Sequence, residues 1–245
     1  MEMERTVSPG DRLRAVGVGV AIGTLGLVAA AVLVLVAIVP LILAGFELGA
    51  LSLIVISLVV GTGIGFGGVA LAYLRYRGVG LDYVGIGVGI PSLRSTIVVV
   101  VGLILAFVGV AIGGALVAAV DTALVGTEVQ PAANSITQIA RGNPAVLLVL
   151  IPAAFLLIGP GEELLFRGVV QGRIREAFGP TTGVVLASAV FAAVHFTALT
   201  GGAVGRLATI AVLFFPSLVF GAAYELTDNL LVSILIHGTY NAILF

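Results

Sequence analysis

Hydrophobic residues in this chain fall in long unbroken runs, not in the alternation of a half-buried strand or the polar-striped repeat of a surface helix. A helix needs about 20 apolar residues to cross a hydrocarbon core roughly 30 Å thick. Uncharged intervals between charges and turn signals give seven candidate spans: 15–44, 50–74, 95–119, 145–164, 181–200, 207–224 and 229–245. The pattern therefore predicts an all-α, polytopic membrane helix bundle of about seven transmembrane helices around a polar intramembrane cavity. The first run carries no charge from Ala15 to Phe46. It is much longer than the 7–15 residues, roughly, of a signal-peptide core, so it reads as a retained span.

Composition strengthens this picture. The chain is 60% hydrophobic and 9% charged, with a mean hydropathy of +1.27, where a soluble domain is about 25% charged. The expected partner is the lipid bilayer. A net charge of −1 and the lack of a basic cluster leave no footprint for nucleic acid. No cysteine is present, which removes disulfides, thiolate nucleophiles and Cys-based metal sites.

Three regions are expected: a cytoplasmic N-terminal tail over 1–14, N-terminal transmembrane helices and connectors over 15–144, and a catalytic helical core over 145–245. The connector carrying Arg75, Arg77 and Arg94 is glycine-rich and reads as interfacial. The polar segment 121–144 has room for a short surface helix. All eleven basic residues are arginine. With the N-terminus inside, Arg5, Arg12, Arg14, Arg75, Arg77, Arg94, Arg167, Arg173 and Arg175 lie on the inner side, and only Arg141 and Arg206 lie outside. The expectation is a multi-pass cell-membrane protein whose N-terminus and active-site opening are cytoplasmic.

GTGIGFGG, residues 61–68, matches G-x-G-x-x-G at Gly63, Gly65 and Gly68. No strand precedes it, and small residues four apart inside an apolar span serve close helix packing, so no dinucleotide site is read here.

Polar groups within or beside spans are costly and usually face the protein interior or water. They concentrate in the second half as Glu162, Glu163 and Arg167, then His195, then His237 with Asn241; His195 and His237 are the only two histidines. Glu162 and Glu163 precede the turn at Gly179 by 17 and 16 residues, and His195 follows it by 16. At about 1.5 Å per residue the three lie at nearly one depth. His237, 9 residues beyond Asp228, is expected somewhat shallower, with Asn241 one turn deeper. A straight helix over 145–177 would measure about 50 Å, so bends are expected at Pro152 and at GPG, residues 159–161.

Glu163 and Arg167 have the i, i+4 spacing of an ion pair. Glu162 is rotated about 100° away, toward the cavity. Phe191 with His195, and His237 with Asn241, each share a face. A carboxylate in a poorly solvated cavity suits a general base for water, with His195 beside it, while His237 and Asn241 suit oxyanion stabilisation. The same groups leave a metal open, with Glu162, His195 and His237 as candidate ligands for Zn2+ or another divalent ion. No cofactor is firmly implied. Glu225 and Asp228 read as solvated acids or caps, Asp82 and Asp121 as interfacial, and Tyr224 and Tyr240 as cavity or interfacial residues.

In order and separation, E-E-x-x-x-R at Glu162, Glu163 and Arg167, F-x-x-x-H at Phe191 and His195, and H-x-x-x-N at His237 and Asn241 resemble the CAAX protease and bacteriocin-processing (CPBP) family of intramembrane endopeptidases. The resemblance covers roughly 145–245. It implies hydrolysis of peptide bonds in membrane-associated peptides or proteins, with Glu162, Glu163, His195, His237 and Asn241 in catalysis and Arg167 and Phe191 in support. Both metal-dependent and metal-free mechanisms have been proposed for that family. Two other classes compete: a non-catalytic scaffold of the same fold, and a proton-coupled transporter, which should show internal repeats.

Overall fold

The computed structural model describes residues 7–86, 92–125 and 131–245. Arg5, part of the glycine-rich connector and part of the 121–144 segment lie outside the described residues. Helix α1, Pro9–Leu43, begins earlier than its uncharged run because Ser8 and Asp11 cap it reciprocally. The Ser8 hydroxyl accepts from Asp11 N at 3.1 Å, the Asp11 carboxylate accepts from Ser8 N at 3.2 Å, and Pro9 sits in the first turn. The polar stretch 9–14, expected as tail, is thus helical.

The chain continues through α2 (Ala50–Arg77), α3 (Leu93–Val125), a short surface helix α4 (Ser135–Gly142), α5 (Pro144–Phe178), α6 (Pro180–Val194), α7 (Ala203–Thr227) and α8 (Leu230–Leu244). Strand β1, Ala133–Asn134, pairs antiparallel with β2, Leu199–Thr200. Among the described residues six helices are long and apolar enough to span a membrane: α1, α2, α3, α5, α6 with its following turn, and α7. The protein is therefore an all-α, multi-pass membrane protein. The seventh candidate, α8, has 15 residues and measures only about 22 Å.

Glycines set the closest approaches. The GTGIGFGG segment lies inside α2, where a Cβ on Gly65 would sit 2.8 Å from Ala30 Cα in α1. A Cβ on Gly161 would sit 2.6 Å from the Thr62 carbonyl, so α5 and α2 also meet backbone to backbone. The expected bends in α5 take another form. The helix runs unbroken but relaxes into π-helical turns over Ala154–Ile158, directly after Pro152, and over Leu164–Gln171. The wider turn absorbs the hydrogen bond that proline cannot donate and rotates the residues that follow.

Two different ends result. At the N-terminal end, the Arg12 guanidinium lies 5.7 Å from the Phe178 ring, and Glu176 accepts from Arg77 at 3.0 Å and from Tyr83 at 2.8 Å. Burial, reinforced by the Glu176 bond, pushes the Tyr83 phenol up to about 12, so it remains a donor at neutral pH. The connector is not merely interfacial: Val84 is fully buried, and Leu230 N donates to Gly85 O at 3.2 Å. Glu225, expected to be solvated, instead accepts from Gln171 Nε2 at 3.1 Å and Arg175 at 3.0 Å. At the opposite end the segment before α4 folds over the α6–α7 turn. Ala132 N donates to Gly205 O at 3.1 Å, Thr209 Oγ1 to Ala132 O at 2.9 Å, and Ser135 Oγ to Ala198 O at 3.2 Å.

The centre holds a buried ion pair. Glu163 and Arg167 are both 0% exposed, with Arg167 Nε donating to Glu163 Oε2 at 3.2 Å. The rest of the guanidinium is satisfied by Ser188 of α6 at 3.3 Å and Ser217 of α7 at 2.9 Å, with the Phe191 ring 4.9 Å away. The expected i, i+4 pair is present, and it joins three helices.

Two outcomes are expected in detergent. Gly65→Val should destabilise by about 1–3 kcal/mol through overpacking, whereas Gly68→Val, with nothing within 4 Å of its Cβ, should not; thermal unfolding separates them. Arg167→Met should cost about 3–5 kcal/mol by stranding a buried carboxylate, and the double variant with Glu163→Gln should recover part of that loss.

Candidate active site

Three helices deliver the polar side chains to one place. Glu162 and Glu163 come from the middle of α5, at the junction where α-helical Gly159–Glu163 passes into the π-helical turns. His195 stands at the C-cap of α6, and His237 and Asn241 lie one turn apart on α8. Adjacent side chains on a helix diverge, and the two glutamates do so: Glu163 turns into the core, while Glu162 lines a cavity of about 290 Å³.

Both histidines are oriented through Nδ1. His195 Nδ1 lies 2.8 Å from the Phe191 carbonyl, which only accepts, so this nitrogen carries a hydrogen. His237 Nδ1 lies 2.8 Å from Glu163 Oε1, a carboxylate already held by Arg167, so it too donates. Each ring then turns Nε2 toward Glu162: His195 Nε2 is 3.7 Å and His237 Nε2 is 3.9 Å from Glu162 Oε2. That oxygen is buried and has no hydrogen-bond partner among the described residues. Three groups with lone pairs therefore face a common point, an arrangement that calls for a shared donor such as water.

The aromatic residues hold these rings. Phe191 lies 4.6 Å from the His195 ring and 5.7 Å from the His237 ring, and Phe220 stacks on His237 at 4.8 Å with an 18° tilt. Asn241 and Tyr240 line the cavity beside His237, whereas Tyr224 is buried in the bundle and is neither a cavity residue nor an interfacial anchor. The expected convergence of Glu162, His195, His237 and Asn241 on one cavity is met. His237 is not shallower than the glutamates, since it hydrogen-bonds Glu163 at 2.8 Å and lies 3.9 Å from Glu162. Counting residues from a turn gives depth only for straight helices normal to the bilayer, and α5 is neither regular nor short.

Among the described residues, no group of three or more His, Cys, Asp or Glu side chains is arranged to hold an ion. Glu162, His195 and His237 were the candidates, and Glu163 is already engaged with Arg167 and His237.

Several contributors have no motif signature. Ser188 and Ser217 are isolated hydroxyls within apolar spans, and Ser233 lies four residues before His237, so its helical phase was the one available signal. Asn134, Ser135 and Thr137 line the cavity from the segment around α4, and Thr62 does so from α2. The lining also includes Thr197, Leu199, Thr209 and Leu244, which together with the α4 segment lie at the end of the bundle opposite Pro9.

Residues 144–243 match the family model described as type II CAAX prenyl endopeptidase Rce1-like, while no curated protein and no solved structure matches. Every motif residue from Glu162 to Asn241 lies inside the matched range, so the part of the chain over residues 144–243 is similar to the CAAX protease family.

Proposed function

We propose that this protein is an intramembrane endopeptidase that hydrolyses peptide bonds of membrane-associated substrates with a water activated by Glu162. The observation that carries the reading is Glu162 Oε2: buried, unpartnered, and faced by the Nε2 atoms of His195 and His237 at 3.7 and 3.9 Å. A water on the cavity side, within reach of all three, gives a proton to Glu162 while its oxygen attacks the scissile carbonyl. His195 keeps that water on one side of the carboxylate. His237, its Nδ1–H held by Glu163, takes a second proton from solvent on Nε2 before the attack and keeps it through the step, donating from Nε2 to the oxyanion of the tetrahedral intermediate together with the Asn241 amide. Glu162 then returns its proton to the leaving amine, the C–N bond breaks, and the carboxylate is regenerated.

Arg167 and Phe191 act in support: Arg167 neutralises Glu163, and Phe191 packs against both imidazoles. The domain division follows the same logic. Residues 145–245 supply the reacting groups, and the preceding helices supply walls of the cavity. The arginine bias places the N-terminal end of the bundle on the cytoplasmic side. The cavity, at the opposite end, then lies toward the other face of the membrane.

The expected result is that Glu162→Gln and His195→Ala each abolish cleavage of membrane peptides while the detergent-solubilised protein stays folded. Unchanged proteolysis by Glu162→Gln would overturn the reading. Full activity of purified enzyme with negligible bound metal, surviving chelation, is expected from water activation by protein groups alone; activity that tracks bound metal would replace that part of the mechanism. Single cysteines, clean in this cysteine-free chain, should label near Gly179 from the cytoplasm and near Gly202 from the opposite side.

A further inference from the structure

Helix α8 holds the Glu163 carboxylate at two points, one oxygen each. His237 Nδ1 meets Oε1 at 2.8 Å, and the Ser233 hydroxyl, one turn earlier on the same face, is hydrogen-bonded to Oε2. Ser233 is fully buried, and its oxygen also lies 3.1 Å from the Phe220 carbonyl. A hydroxyl has a single hydrogen to give. Turned toward Phe220, it would set a lone pair against the carboxylate oxygen; turned toward Glu163, it makes the stronger, charge-assisted bond. The hydrogen therefore belongs to Glu163.

We infer that Ser233 is a positioning residue for the reaction: by fixing the second oxygen of Glu163, it makes the first oxygen the acceptor for His237 Nδ1–H and so keeps His237 Nε2 aimed at Glu162 and the reacting carbonyl. This rests on the proposed endopeptidase reading. Arg167 cannot substitute for it. Arg167 is anchored to Ser188 and Ser217 and reaches Oε2 through Nε alone, at 3.2 Å, along the axis of α5. It resists displacement of the carboxylate but does not tie it to α8. Ser233 supplies that tie from the helix that bears His237. Phe220 completes the arrangement, since its ring stacks on His237 while its carbonyl borders Ser233.

Ser233→Ala removes the donor with little change of shape, so the variant should fold. The expected effect is a fall in kcat of about tenfold, the worth of one orienting hydrogen bond, with KM unchanged. Ser233→Thr, which keeps the hydroxyl, should restore most of the rate. The spectroscopic signature is direct because the chain has only two histidines. In 15N-histidine NMR, the hydrogen-bonded Nδ1–H signal of His237 should broaden or vanish in Ser233→Ala, while that of His195 stays in place. Wild-type kcat in Ser233→Ala, or a reduced rate with the His237 Nδ1–H signal unaltered, would overturn the inference. A turning-over Glu162→Gln enzyme would instead overturn the endopeptidase reading, and the His237 signal would still report on Ser233 independently.

Discussion

One buried carboxylate organises the functional half of this protein. Glu163 accepts from Arg167 on its own helix and from Ser233 and His237 on α8, while Arg167 extends the same network to Ser188 of α6 and Ser217 of α7. A charge in a water-poor interior is tolerated only when it is paired and its remaining lone pairs are filled. Meeting that condition requires four helices to hold one relative arrangement. The same arrangement turns His237 toward Glu162, while the Phe191 carbonyl turns His195 there, so the solution to a burial problem is also part of the geometry of the site.

Glu162 stands in deliberate contrast to its neighbour. One residue of rotation, about 100°, separates a carboxylate that accepts three hydrogen bonds from one with a buried oxygen that has no hydrogen-bond partner among the described residues. The π-helical turns that begin at Leu164, and the glycines at 159 and 161, let α5 lie against α2 and α8 closely enough for these two faces to serve different partners. Polar unsaturation inside an otherwise satisfied core is where chemistry is expected.

The cavity is assembled from both parts of the chain. Glu162, His195, His237 and Asn241 lie within the matched range 144–243, but Thr62 and the segment Asn134–Thr137 also line the cavity, and β1 ties that segment to Leu199 and Thr200, shortly after His195. The opposite end, with Arg77, Tyr83, Arg173 and Glu176 linked together, is a structural clamp on the helix hairpins and contributes nothing to the cavity.

Sequence alone determined the membrane-spanning helices, because burying a backbone in lipid demands long apolar runs that composition reports directly. It also determined the Glu163–Arg167 pair, since helical periodicity puts i and i+4 side by side, and the divergence of Glu162 from Glu163. Tertiary structure alone decided the rest. That α1 begins at Pro9 depended on a cap of two residues. That Glu225 is paired, and that the cavity lies away from the N-terminal arginines, depended on which helices meet. The Ser233, Ser188 and Ser217 contacts, from 21 to 70 residues away in sequence, left no local trace, because an isolated serine in an apolar span looks the same whether it faces lipid or a buried charge. Periodicity assigns a residue to a face of its own helix; only packing decides what that face meets.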